Sequence, residues 1–260
     1  MKKVNDLNEL KEIELSMMKK VHEFCVSQNI DYYLAYGTLL GAIRHNGFIP
    51  WDDDIDIWMK RDDYEKFLKE FPKYASNNGM DIVNPYTKTK YNNSFTKIVN
   101  TNTILKEKQF RGDDEIGVFI DVFPLYYVPE NEKLLRKYKR KNKLLSASRK
   151  ILSKKDGLLK RIIIKILQIF LSPNKLARKT NEMVKKACTN YNSKVFVNTG
   201  PQEVFWTKYF DEKILHKFED TEFYIPKEYD AVLKSRYGDY MKLPPLEMQV
   251  PHHISDIYIK

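Results

Sequence analysis

The feature that most constrains this chain is W-D-D-D-I-D-I-W, Trp51 to Trp58, where acids alternate with isoleucines. Read as a strand, side chains point to opposite faces at period two. Asp52, Asp54 and Asp56 then share one face, and Asp53, Ile55 and Ile57 share the other. Like charges on one strand face need a counter-charge. For converging carboxylates the least costly one is a divalent cation.

The residues upstream suit the same purpose. Ile30 to Tyr36 is tyrosine-rich and reads as a strand. Gly37-Thr38 then opens a short helix, Leu39 to Arg44, with Thr38 as the N-cap, and such a helix start presents backbone N–H groups to an anion. Arg44-His45-Asn46-Gly47 follows as a basic turn, and Pro50 holds the approach to the aspartates. Before all this, Leu7 to Gln28 is an amphipathic packing helix, in which His22 is given no role.

Downstream, a helix beginning at Arg61 carries Tyr64, Phe67, Leu68 and Phe71 on one face, and Pro72 is expected to bend or end it. Strands are expected over Asp81–Pro85 and Ser94–Asn100, the second carrying Lys97, which either contacts phosphate or snorkels to solvent. In G-V-F-I-D-V-F, Gly117 to Phe123, Asp121 is a lone carboxylate in an apolar strand. A carboxylate there is either one half of a buried salt bridge or a third acid for the cation held by Asp54 and Asp56.

Three loop chemistries compete for the aspartates. Counted from Asp52, acids fall at positions one, three and five of a calcium loop, but position six is Ile57 instead of Gly and position twelve is Asp63 instead of Glu. That excludes an EF-hand. An Asp-rich diphosphate motif on a helix conflicts with Pro50 and with the period of two. What remains is a two-metal phosphoryl-transfer site on adjacent strands, with cations roughly 3.5–4 Å apart. Asp52, one step further along, is an outer ligand or a substrate contact.

The 260 residues, 42% hydrophobic and 13% aromatic, suffice for one domain with a real core. Cys25 and Cys188 form no metal or disulfide pattern, and the first residues lack a signal-peptide apolar run, which points to the cytoplasm. From Asn131 to Thr189, 19 Lys and Arg face three acids (Glu132, Asp156, Glu182). That is a local charge of +16 on a chain totalling +10, so the remainder is acidic by 6. The chain thus reads as one domain over 1–260 with a basic helical insertion over 130–190. Such a separation suits an anionic membrane surface, and nucleic acid is not the expected partner. Inside the insertion, Gly157 to Leu171 is apolar, too short to span a bilayer, and carries Lys160, Arg161 and Lys165. It reads either as an interfacial amphipathic helix or as a buried core helix. Towards the C-terminus, Glu222–Pro226 reads as a strand and Lys227–Tyr237 as a helix stopped by Gly238, before a rigid turn at Met241–Pro245. His252-His253 follows, one of which is placed to reach a phosphate or a base.

G-T-L-L-G-A-I-R-H-N-G-F-I-P-W-D-D-D-I-D-I-W-M resembles the signature of the LicD family of phosphocholine transferases, related to fukutin and fukutin-related protein. The resemblance continues in Phe95-Thr96-Lys97-Ile98, in Ile120-Asp121-Val122-Phe123-Pro124, and from Tyr237-Gly238-Asp239 through Leu243-Pro244-Pro245 to His252-His253. It implies an α+β, nucleotidyltransferase-like fold: a mixed β-sheet flanked by helices. It also implies transfer of a phospho-alcohol from a CDP-alcohol such as CDP-choline to a glycan hydroxyl, with CMP leaving. Asp54, Asp56 and Asp121 would hold Mg²⁺ (or Mn²⁺), and Asp52 matches an additional acid of the fukutin-like branch. Asp121 would also accept the hydroxyl proton. Gly37, Thr38, Arg44, His45 and Lys97 would contact the diphosphate. A lipid-linked glycan acceptor would place the enzyme at the inner membrane face. Two alternatives stand beside this: a nucleotidyltransferase acting on a small molecule or RNA, and a non-catalytic membrane-bound scaffold.

Overall fold

A computed structural model of the protein describes residues 1–4, 6–106, 116–128, 132–150, 152, 157–187, 195–198, 204–251 and 256–260. After a two-residue strand, β1 (Lys2–Lys3), helix α1 spans Leu7–Ser27. Asp6 caps it, its Oδ1 accepting from the Glu9 N–H at 2.9 Å. The expected stripe is there: Leu10, Met17, Val21, Phe24 and Cys25 are buried. Glu14 is buried among them, which the apolar reading of this helix did not foresee.

Next come β2 (Tyr33–Leu34), α2 (Tyr36–His45), β3 (Ile55–Lys60), α3 (Arg61–Asn77), β4 (Met80–Val83), β5 (Thr96–Asn100), β6 (Thr103–Lys106) and β7 (Phe119–Val128). Helices α4 (Glu132–Arg149), α5 (Leu158–Phe170) and α6 (Pro173–Ala187) follow. The chain then forms β8 (Val195–Asn198), β9 (Val204–Trp206), the hairpin β10 (Lys213–Phe218) and β11 (Thr221–Pro226), α7 (Tyr229–Tyr237) and β12 (Asp256–Ile259). Among the described residues the main sheet has seven strands in the order β2-β3-β7-β5-β4, with β8 on β7 and β9 on β8. β3 and β7 are parallel and the other pairs antiparallel, so the sheet is mixed. This is the α+β, nucleotidyltransferase-like arrangement that the sequence implied.

The central β7 carries three neighbours. β3 lies along one edge, while β5 and β8 share the other, β5 on its first half and β8 on its second. Strands buried on both faces read as apolar runs, and Ile55, Ile57, Ile98, Ile120 and Val122 are each fully buried. The three basic helices lie in the excursion between β7 and its partner β8. There α5 packs on α4, α4 on α6, and α6 reaches β7. Asn174 holds α6 down: its Nδ2 donates to the carbonyls of Pro85, Lys88 and Tyr91.

Several local expectations are corrected. The tyrosine-rich segment gives only the two residues of β2, because the backbone leaves the extended region at Tyr36, where φ is 44°, and turns into α2. That helix starts three residues early and takes Ala35 at its N-cap, so Thr38 lies inside its first turn. Pro72 does not end α3, which continues to Asn77. Burial of Phe67, Phe71 and Ala75 on either side of it offsets the lost helical hydrogen bond, about 3 kcal/mol. Strand β3 begins only at Ile55. Pro50 is the second residue of a turn closed by the Asp52 N–H on the Ile49 carbonyl at 2.9 Å, so Asp52 to Asp54 precede the ladder.

Candidate active site

Register builds the centre of the site. Asp56 on β3 lies directly opposite Asp121 on β7, and Asp121 directly opposite Lys97 on β5. Direct cross-strand partners share a face, so two carboxylates and one ammonium form a single row across three strands. All three are buried: Asp56 is 9% exposed, Asp121 7% and Lys97 3%. Lys97 Nζ donates to Asp121 Oδ1 at 2.8 Å and lies 3.1 Å from the centre of the Phe119 ring. The side chain that the sequence left between phosphate contact and snorkelling is thus an internal counter-ion, screened from water by aromatic faces. Asp121 is salt-bridged to Lys97, as one reading had it, and stands directly opposite Asp56, where the other needs a third acid.

Asp56 is held by the segment that opens α2. Its N–H donates to Thr38 Oγ1 at 2.9 Å, and its carbonyl accepts from the Ala35 N–H at 2.9 Å. Thr38 therefore positions the aspartate strand instead of capping the helix. Gly37, its neighbour, is needed for a different reason: a Cβ there would stand 2.6 Å from Asp52 Oδ2. The Asp52 carboxylate lies against the first turn of α2, where the helix dipole favours negative charge. Burial first, and then the charges of Asp54, Asp121 and Asp52, push the Asp56 carboxyl well above the usual carboxylate range, while Lys97 opposes them.

The acids ahead of the strand gather differently from the period-two expectation. Asp52, Asp53 and Asp54 each offer a carboxylate oxygen within 4.8 Å of the others. Asp53, which alternation assigned to the opposite face, belongs to the cluster, because residues outside a ladder do not alternate. Together with Asp56 and Asp121 these are hard oxygen donors of the kind Mg²⁺ or Mn²⁺ takes. Three clustered carboxylates beside the two of the row make a donor set that fits a divalent ion.

Helix α1 contributes two residues that sequence reasoning missed. Lys11 Nζ donates to the carbonyls of Ile49 and Pro50, each at 2.9 Å, tying down the turn that delivers the aspartates. Glu14, three residues on, is 2% exposed and its Oε2 has no hydrogen-bond partner. Burial, then the charges of Asp54, Asp53 and Asp52, raise its carboxyl well above the ordinary range. A signal was present in the sequence: Glu14 falls four residues after Leu10 and three before Met17, inside the apolar stripe.

Arg44 and His45 lie at the other end of α2 from Gly37. Arg44 Nη1 donates to the Tyr240 carbonyl at 3.0 Å and its Nε to His45 Nε2 at 3.0 Å. Burial lowers the Arg44 pKa, against the fields of Tyr237 and Asp52. Burial and then the Arg44 charge lower that of His45. His252 and His253 lie outside the described residues, as does Cys188. Cys25 is a buried free thiol.

Comparison with known proteins gives this geometry a family. Residues 29–153 match the LicD/FKTN/FKRP nucleotidyltransferase domain. The chain is also 33% identical, over the full length of both proteins, to the lipopolysaccharide cholinephosphotransferase LicD of Haemophilus influenzae. The chain belongs to the LicD family. It is accordingly an enzyme of the LicD phosphotransferase type. Shorter matches reach uncharacterized proteins of Rickettsia typhi, 42% identical over 26% of this chain and 22% of that one, and of Rickettsia prowazekii, 43% identical over 22% of each. The LicD-matched span contains α2, the aspartate cluster, β3, Lys97 and Asp121, so the row and the cluster both fall inside the family domain.

Proposed function

We propose that this enzyme transfers phosphocholine, or another phospho-alcohol, from a CDP-alcohol to a hydroxyl of a cell-surface glycan or its lipid-linked precursor, releasing CMP. The observation that carries the reading is the buried Asp56–Asp121–Lys97 row beside the Asp52–Asp54 cluster. It lies in a chain collinear with an enzyme named for attaching phosphocholine to lipopolysaccharide. Asp52, Asp54, Asp56 and Asp121 hold Mg²⁺, with Mn²⁺ as a substitute. The bound ion supplies charge neutralisation for the donor diphosphate. Gly37 and Thr38 seat Asp52 and Asp56. Asp121, paired to Lys97, accepts the proton of the acceptor hydroxyl as it attacks the phosphorus that bears the alcohol. Lys97 and Arg44 supply fixed positive charge near the site. A lipid-linked acceptor places the work at the inner face of a membrane. Among the described residues no helix is long and apolar enough to cross one.

The test is a mass-spectrometric screen of CDP-choline, CDP-glycerol and CDP-ribitol with glycan acceptors and Mg²⁺. CMP together with a phospho-alcohol-modified acceptor is expected. A nucleotide-labelled acceptor would instead mark a nucleotidyltransferase. Unchanged glycan phosphocholine in cells carrying Asp54→Ala would leave only a scaffold role.

A further inference from the structure

Helix α5 is packed the wrong way round for a helix in water. Its inner face holds Ile164, which is buried, and Gln168, whose Nε2 donates to the Lys150 carbonyl at 2.8 Å. Its outer face carries Leu159, Ile162, Ile163, Ile166, Ile169 and Phe170, which are 46–79% exposed. At about 100° per residue these six fall within roughly 120° of arc, a continuous stripe about three turns long. Lys160 and Lys165 fall on either side of that stripe, and the helix has no acid. A surface helix ordinarily turns such a stripe inward, and a buried core helix exposes none, so the core alternative for Gly157–Leu171 does not hold. The helix is also the outermost layer of its group, because α4 stands between it and α6.

We infer that the outward face of α5 is a membrane-docking surface, seated in the interface of an anionic bilayer with the helix axis along the membrane plane. Charge selects this occupant over a second copy of the chain. The stripe is flanked by Lys, and the underlying α4 holds eight Lys and Arg against one acid. Two copies brought together through α5 would bring these charges together, whereas an anionic headgroup layer neutralises them. Seven-tenths or more exposure at Leu159, Ile169 and Phe170 suits side chains that insert between headgroups, and the lysines on either side reach out to phosphates. The placement rests on the proposed reading for its lipid-linked acceptor, but the surface itself is read without substrate.

The experiment is flotation of the full chain with vesicles of phosphatidylcholine and phosphatidylglycerol, against phosphatidylcholine alone. Binding is expected to the anionic vesicles and to fall at 1 M salt, where the screening length shrinks to about 3 Å. The variant Ile163→Asp/Ile166→Asp should bind on the order of a hundredfold more weakly, with an unchanged melting temperature because both positions face outward. It should also retain transfer to a soluble glycan acceptor while losing transfer to an acceptor embedded in vesicles. Asp56→Asn should show the reverse, full vesicle binding without transfer, which separates failure of the surface from failure of the chemistry. Vesicle binding retained by the double variant overturns the inference, as does no binding by the unmodified chain. So does a dimer in light scattering that the double variant dissolves, because the stripe is then a self-association face.

Discussion

Replacing Asp56 with asparagine separates what this residue does for the fold from what it does for the site. The carboxyl is buried, and Asp54, Asp121 and Asp52 all oppose its ionisation. An amide of the same shape removes that repulsion and the cost of desolvating a charge. Leaving a buried polar group poorly compensated costs about 1–3 kcal/mol. Metal-free Asp56→Asn should therefore be more stable than the parent by that order. At about 2–4 °C per kcal/mol for a chain of this size, the melting temperature should rise by about 2–12 °C at pH 8. The pH dependence has a definite sign. Asp56 titrates higher in the folded than in the unfolded protein, so its stabilising contribution is complete below about pH 4 and is lost as pH rises through the folded value. The gap between variant and parent should thus open with rising pH. Mg²⁺ should act unequally on the two proteins. A site bound at a hundredfold excess over its Kd adds about 2.7 kcal/mol to the parent, and the variant should forfeit most of it along with transfer activity. Thermal melts with and without Mg²⁺ across pH 5–9 read all of this. A variant that melts lower without metal, yet keeps the full Mg²⁺ response, would refute the account of the row.

Three further substitutions probe its surroundings. Gly37→Ala should shift the Asp52 carboxylate by about 0.8 Å, from 2.6 Å to an ordinary contact, lowering kcat on the order of a hundredfold with little change in melting temperature; full activity would show that Asp52 need not stand where it does. Lys97→Met should destabilise by about 3–5 kcal/mol because it leaves Asp121 buried without its partner, and adding Asp121→Asn should recover part of the loss in a double-mutant cycle. Glu14→Gln should stabilise the metal-free protein by about 1–2 kcal/mol, increasingly so as pH rises above the ordinary glutamate range, because the folded carboxyl binds its proton more tightly than the unfolded one. A pH-independent difference between Glu14→Gln and the parent in chemical denaturation would show that burial and the neighbouring aspartates do not raise the Glu14 pKa.

Much of the fold was legible because periodicity reports burial. The stripe of α1, the apolar β7 and the Gly238 stop of α7, where φ is 65°, follow from local pattern. Where the expectations slipped, a tertiary partner decided. The aspartate strand stops short of Asp52 because its ladder with β7 begins at Ile55 and Ile120. Alternation holds only inside a ladder, so Asp53 rejoined the acids from which the period had separated it.

By itself the sequence determined the chemistry of the site: oxygen donors in excess, a glycine at the start of a helix, a lone acid in an apolar strand, and a basic excursion with an apolar helix inside it. Tertiary structure alone decided which of these meet. Strand register aligned Asp56, Asp121 and Lys97 across β3, β7 and β5, residues 24 or more positions apart in the chain. The docking of α1 brought Glu14 and Lys11 to the aspartate turn, and the packing of α5 on α4 left its apolar stripe facing outward. The physical reason is common to all three. Which groups a residue carries is a local property, whereas the field and solvent it meets depend on chain segments that only the folded packing brings near.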